Sequence, residues 1–397
     1  MHLASRLSRF NEPETLKMAK LGRELRSQGH DVIDLSIGEP DFDVPQHVKD
    51  AAKKAIDDNW SHYSPVAGYP DLREAVCKKL KRDNNLDYTP ENIVVSTGAK
   101  QSLANVILSL VDEGEEVIIP TPYWVTYAAL VQLGKGIVKE LKTTPQSCYK
   151  ITAEELEAAI TPKTKAFLFS SPCNPSGAVY RKEELEKLAE VFRKHPQVYI
   201  ISDEIYEYIN FCSCHESIAQ FEGMKERTII VNGLSKGFAM TGWRLGYIAA
   251  AKEIAKGCEK LQGQLTSGAN SIAQKASVVA LTSSLQPTLD MVKEFTRRRE
   301  RVVELLQAIP GVELATPDGA FYAFPVMKAY YEKTTPSGEK INNADDLSMY
   351  LLNTAHVSTV TGTAFGDGDC IRLSFANSMS NIEKAMDRIT KALADLK

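Results

Sequence analysis

The sequence predicts an α/β fold: a mostly parallel central sheet covered by helices, with a smaller, discontinuous α+β domain beside it. Three observations carry this. The 397 residues exceed one ordinary domain of ~100–200 residues, so two domains or one large α/β unit is expected. Hydrophobic residues at 43% and charged residues at 25% lie at globular averages, which excludes disordered, collagen-like and coiled-coil chains. From Ile93 onward, short β-branched runs alternate with longer stretches of helical period, as in strands joined by crossover helices.

The elements follow in order. A helix is expected over Glu14–Ser27, ending at Gly29, then a strand over 32–37 and a turn at Gly38-Glu39-Pro40-Asp41; this segment is too small to fold alone. Strand 93–97 precedes a helix over Gln101–Leu110, strand 117–120 a helix over Tyr123–Leu133, and strand 166–170 a helix over Lys182–Arg193. The runs 199–202, 228–232 and 245–250 are too short and apolar for helices and read as central strands. After Pro287 long amphipathic helices begin, with Leu289, Val292 and Phe295, then Val302, Leu305 and Leu306, at helical spacing. A strand over 319–325 follows, and a second subdomain is expected there.

Charge and motifs exclude several function classes. The net charge of −4 leaves no footprint for nucleic acid or an anionic membrane, so small-molecule chemistry is the default. Seven scattered cysteines form no disulfide framework and fit a reducing cytoplasm. No apolar run approaches the ~20 residues of a membrane helix, and the stretch Met1-His2-Leu3-Ala4-Ser5-Arg6 lacks a signal-peptide core. No dinucleotide or P-loop glycine fingerprint occurs. Cys212-Ser213-Cys214-His215 lacks the further ligands of a closed zinc site, and Ala219 interrupts any H-E-x-x-H, so no metal is expected and the segment reads as a surface loop. Arg297-Arg298-Arg299 and Arg301 read as a solvated helix face.

Polar residues cluster where a parallel sheet puts its ligands, in the loops after the strands. Gly98-Ala99-Lys100 opens a helix, where backbone N–H groups and the dipole favour an anion, though glycine also suits any strand-to-helix turn. In Ser171-Pro172-Cys173-Asn174-Pro175-Ser176-Gly177 two prolines aim Asn174 into a cleft or simply stiffen a turn. Asp203 and Tyr206 share a face if a helical turn follows, or Asp203 is an N-cap. Lys236 follows a buried strand eight positions before Arg244, a setting in which desolvation and a second cation favour the free amine.

With Ser36-Ile37-Gly38-Glu39-Pro40-Asp41-Phe42, Tyr63-Ser64-Pro65, Ser202-Asp203-Glu204-Ile205-Tyr206, Leu234-Ser235-Lys236, Gly242-Trp243-Arg244-Leu245-Gly246 and Ile371-Arg372-Leu373-Ser374, the chain resembles the fold-type I pyridoxal-phosphate aminotransferases over essentially its whole length, in the bacterial aspartate aminotransferase subgroup. The resemblance implies a large cofactor-binding domain over 44–289 and a small domain from 1–43 and 290–397. It implies that Lys236 forms the Schiff base with the cofactor pyridoxal 5′-phosphate and shuttles the substrate proton, and that Asp203 keeps the pyridine nitrogen protonated. Tyr206 and Asn174 would bond the ring oxygen. Gly98, Ala99, Ser235 and Arg244 would hold the phosphate, with Lys100 in the same turn, and Trp124 would stack on the ring, although alone it reads as a core aromatic. Arg372 would clamp the substrate α-carboxylate with help from Gly38 and Asn174. Tyr63, otherwise a loop aromatic, would reach the neighbouring subunit's phosphate, implying a homodimer with shared sites.

Leu261–Gln286, where a related branch carries an arginine for the distal carboxylate, contains none; Lys100 is the expected substitute, with Thr15 the next place to look. The implied reaction is ping-pong transamination between an L-amino acid, best L-aspartate, and 2-oxoglutarate. A prephenate or aromatic aminotransferase and a lyase on the same fold share these motifs, while a DNA-binding regulator finds no room before Gly38.

Overall fold

The computed structural model describes residues 3–212 and 214–397, so Met1, His2 and Ser213 of the segments considered above lie outside the described residues. A seven-stranded sheet forms the centre: β1 (Ile93–Ser96), β2 (Glu116–Pro120), β3 (Ile137–Leu141), β4 (Thr164–Ser170), β5 (Tyr199–Asp203), β6 (Thr228–Gly233) and β7 (Gly246–Ala249), in spatial order β1-β7-β6-β5-β4-β2-β3. Pairs among β3, β2, β4, β5 and β6 are parallel, and only β7 runs against its neighbours. Ile229, Ile230 and Val231 of β6 are fully buried, as a strand covered by helices on both faces must be. β3 was not anticipated. Its Ile-Val-Lys-Glu-Leu sequence is partly exposed at the sheet edge and carries a weak strand signal.

The expected helices form at Glu14–Ser27, Ala99–Leu110 and Lys182–Lys194, and the helix expected over Tyr123–Leu133 begins at Thr126. Two expected strands shrink. Only Ile33–Asp34 of 32–37 forms a strand, parallel to Val357–Ser358, and only Tyr322–Ala323 of 319–325 does, antiparallel to Leu373–Ser374, with Gly319 in an isolated bridge to Asn210. One hydrophobic cluster ties Ile33 and Leu35 to Met291, Phe295 and Val302 of the long helix Gln286–Gln307 and to Ile382, Met386 and Ile389 near the C-terminus.

Two polar segments depart from expectation. Arg298 is 6% exposed and pairs with Asp41 at 2.6 Å and Glu294 at 3.0 Å, so the arginine run is solvated only in part. The Arg298 guanidinium lies over the rings of Phe42 and of Phe295, one turn earlier on the same helix. The His215 side chain turns inward from its loop to meet Glu204, Nε2 to Oε2 at 3.0 Å, while Cys214 stays exposed. Glu204, Glu207 and His215 bring one ligand atom each within 4.8 Å of the others, and the Lys79 ammonium pairs with Glu207 there. All seven cysteines are free, and no helix among the described residues is long and apolar enough to cross a membrane.

Candidate active site

Parallel register brings the ends of the central strands level, Ser170 beside Asp203 and Asp203 beside Val231. The loops beyond them open onto one cavity of about 340 Å³. Asp203, the last residue of β5 and 4% exposed, presents its carboxylate there. Oδ1 accepts the Ile205 N–H at 3.2 Å and Oδ2 accepts the Tyr127 hydroxyl at 2.6 Å. Burial pushes its pKa up to about 6, against the pull of those two donors. No helical turn follows. Turns closed by Glu207 N–H to Glu204 and Ile209 N–H to Tyr206 bring Tyr206 to the same cavity, and Asp203 caps no helix.

Ser235 and Lys236 follow β6. The half-buried Lys236 ammonium donates to the Gly38 carbonyl and lies 5.8 Å from the ring centres of both Tyr206 and Phe321. Burial is the chief cause lowering its pKa to about 8; Glu39 and Asp203 oppose the shift, and Arg372 and Arg244 add to it. Near neutral pH an appreciable fraction is therefore free amine, which an exposed lysine would not supply.

An anion cup forms at the start of the helix Ala99–Leu110, where the Ala99 and Lys100 N–H groups precede the first bonds of the helix, Gln101 and Ser102 N–H to the Gly98 carbonyl. Its N-cap Gly98 has φ +80°, and a Cβ there would come within 2.5 Å of an Arg244 guanidinium nitrogen. A Cβ on Gly246 would strike the Ala99 nitrogen at 2.2 Å, so glycine at both positions lets the turn lie against β7 and Arg244. Ser235 and Thr241 complete this end of the cavity. Lys100, exposed at the mouth, holds its ammonium 5.0 Å from the Trp124 ring centre, and partial desolvation followed by the charge of Arg244 lowers its pKa.

At the opposite wall Arg372, on the strand Ile371–Ser374, is 1% exposed. It donates to the Asn174 side-chain oxygen at 3.0 Å and to the Ser36 carbonyl. Its Nε is buried without a partner, and Arg372 forms no ion pair among the described residues. A buried guanidinium lacking a carboxylate is costly until an anion arrives, and its planar fork suits a carboxylate best. Asn174 keeps its amide nitrogen available as a donor.

Of the expected site residues, Gly38, Ala99, Lys100, Trp124, Asn174, Asp203, Tyr206, Ser235, Lys236, Arg244 and Arg372 line this single cavity. Gly98 shapes it from behind, and Thr15 and Leu16 cover it from the N-terminal helix. Tyr63 is 97% exposed and is not among the residues lining the cavity. Sequence reasoning missed Tyr127, Tyr322 and Ser170. The only available signal was position: Tyr127 one helical turn after Trp124, and Ser170 at a strand end.

The family model for class I and II aminotransferases matches residues 30–389. A bifunctional aspartate aminotransferase and glutamate/aspartate-prephenate aminotransferase from Petunia hybrida is 42% identical, over 100% of this chain and 83% of its own length. The crystal structure of the aspartate aminotransferase from Rhizobium meliloti superposes with a TM-score of 0.96 at 42% identity, covering 100% of both chains. The aspartate aminotransferase from Thermus thermophilus with maleate does so at 0.92 and 38% identity, over 99% of this chain and 100% of that one. The match spans the strand-end loops and the strand carrying Arg372, and the chain belongs to the class I and II aminotransferases.

Proposed function

We propose that this aminotransferase is pyridoxal-phosphate-dependent and moves the amino group of L-aspartate to 2-oxoglutarate. The observation that carries it is the charge pattern of the cavity. Four cations, Lys100, Lys236, Arg244 and Arg372, face one carboxylate, Asp203. Such an excess suits a phosphate and the two carboxylates of an acidic amino acid. A relative's capture with maleate, a four-carbon dicarboxylate, supports the same class of ligand.

The residues suit pyridoxal phosphate on their own chemistry. The cup at Gly98, Ala99, Ser235 and Arg244 matches its phosphate. The buried Asp203 carboxylate, ionised at a cost, matches a protonated ring nitrogen. Trp124 supplies an aromatic wall, and Tyr206 with Asn174 supplies donors for the ring oxygen. When bound, the cofactor supplies an aldehyde for the amino group and a ring that draws electrons from the substrate Cα. Arg372 would hold the α-carboxylate in a forked contact that orients the Cα–H bond, and Lys236 as free amine would take the proton from Cα and deliver it to the carbon that was the cofactor's aldehyde.

Lys100 is the proposed reader of the distal carboxylate. Aspartate without any 2-oxo acid is expected to convert the bound chromophore once and stop, whereas a lyase would keep turning over. In the same assay Lys100→Ser is expected to slow aspartate roughly ten- to a hundredfold, the worth of a charge-assisted bond of about 1.5–3 kcal/mol, and leave alanine and phenylalanine little changed. A uniform loss would assign Lys100 to the cofactor instead. Transamination of prephenate is the second reading. It is favoured by a groove of about 830 Å³ that adjoins the cavity at Lys100 and by the double name of the Petunia relative.

We also propose a homodimer in which Tyr63 completes the partner's phosphate cup; a tyrosine 97% exposed and outside its own cavity supports this. Mixing Tyr63→Phe and Lys236→Ala dimers, with exchange verified by mass, should restore activity above the dilution of the Tyr63→Phe parent, and no gain would refute the shared site. Residues 1–43 with 290–397 are taken as the small domain and 44–289 as the large one, on the cluster joining Ile33 and Leu35 to the C-terminal helices. Hydrogen exchange in which the two stretches open independently would overturn that division. A cytoplasmic location is supported by the seven free thiols and is tested by cell fractionation.

A further inference from the structure

Tyr206 and Tyr322 meet hydroxyl to hydroxyl at 2.8 Å in the cavity wall, with the side chains 4% and 0% exposed. Neither hydroxyl has another hydrogen-bond partner among the described residues. Tyr322 has no room to turn away. Its ring packs against Phe321 and Tyr206, the Arg372 guanidinium lies 4.4 Å over its face, and its hydroxyl occupies the space that a Cβ on Gly38 would need, 2.3 Å away.

Each phenol has one proton, so only one of them lies between the two oxygens. With Tyr206 as donor, its proton is used up inside the pair and the cavity faces only its lone pairs. With Tyr322 as donor, the Tyr206 proton turns to the cavity. The placement of Arg372 favours the second arrangement: the guanidinium lies over the Tyr322 ring and is the first influence to oppose the rise that burial imposes on its pKa, whereas at Tyr206 the pull of Arg372 ranks behind the raising effect of Tyr322, so Tyr322 is the more acidic hydroxyl and the better donor.

We propose that Tyr322 is a positioning residue that donates its hydroxyl proton to Tyr206 and so aims the Tyr206 proton at the ring oxygen of the cofactor, an inference that rests on the pyridoxal phosphate reading of this cavity. Two hydrogen bonds in series polarise each other, so Tyr206 becomes a stronger donor than a lone phenol. The ring-oxygen anion is stabilised, and the pH at which the bound chromophore changes its absorbance falls.

The test is a spectral pH titration of the holoenzyme. Tyr322→Phe keeps the ring under Arg372 and is expected to raise the absorbance midpoint by roughly half to one pH unit, with KM for aspartate nearly unchanged. Tyr206→Phe should raise it further, and the double variant should match Tyr206→Phe alone, because Tyr322 acts only through Tyr206. 3-Fluorotyrosine at position 322, a stronger donor, should lower the midpoint and serves if Tyr322→Phe does not fold. An unmoved midpoint in Tyr322→Phe, or additive shifts in the double variant, would overturn the inference while leaving the cofactor reading intact. A midpoint indifferent to Tyr206→Phe would overturn both.

Discussion

Lys236→Ala is expected to retain pyridoxal phosphate yet lose transamination by at least about a thousandfold in kcat/KM for aspartate. Retention follows from separate anchors: the cup of Gly98, Ala99, Ser235 and Arg244 and the Asp203 carboxylate do not involve the lysine. Loss of activity follows because one amine is asked both to join the cofactor and to move the Cα proton. No other lysine substitutes: Lys100, the second lysine lining the cavity, stands at its mouth over Trp124. Gel filtration of the loaded variant reads the first outcome and steady-state kinetics the second. Substantial turnover in Lys236→Ala would remove this lysine from the chemistry.

Asp203→Ala is expected to lower kcat by roughly two to four orders of magnitude while weakening cofactor retention far less. Asp203 is the only carboxylate lining the cavity among the described residues, so its loss leaves no anion to keep the ring nitrogen charged. The phosphate cup, at the start of the helix Ala99–Leu110, is untouched. The cofactor-free chain gives an independent check on sign. A carboxyl whose folded pKa is raised to about 6 costs stability when ionised, a cost that is absent below its unfolded pKa and present in full above pH 6. Cofactor-free Asp203→Asn is therefore expected to melt no lower than the native chain at pH 7.5, and a large drop would mean that Asp203 is held by contacts of another kind.

Much of the site was legible because a parallel sheet orders its ligands by strand ends. Asp203, Asn174, Ser235 and Lys236 each lie within a few residues of such an end, and strand ends carry strong sequence signals. Contacts made at long sequence separation were not legible from periodicity or spacing. Arg372 reaches Asn174 across 198 positions and Ser36 across 336, and only the family resemblance pointed to it. The phenols were hidden for another reason. Tyr127 and Tyr322 sit in apolar segments and are buried like core aromatics, so nothing local distinguishes a hydroxyl aimed at Asp203 or Tyr206 from one left over at the edge of a core. Arg298 and His215 were misread by composition. A basic run and a loop histidine look solvated until the packed neighbours, Asp41 and Glu204, are in place.

The proposed function depends above all on Lys236 carrying the cofactor in this cavity. Borohydride reduction of the loaded enzyme, followed by peptide mapping, tests it most directly, because reduction fixes the cofactor to whichever amine holds it. One pyridoxyl group per chain is expected, on Lys236; a label on any other lysine, or none on a chain shown to contain the cofactor, would refute the assignment.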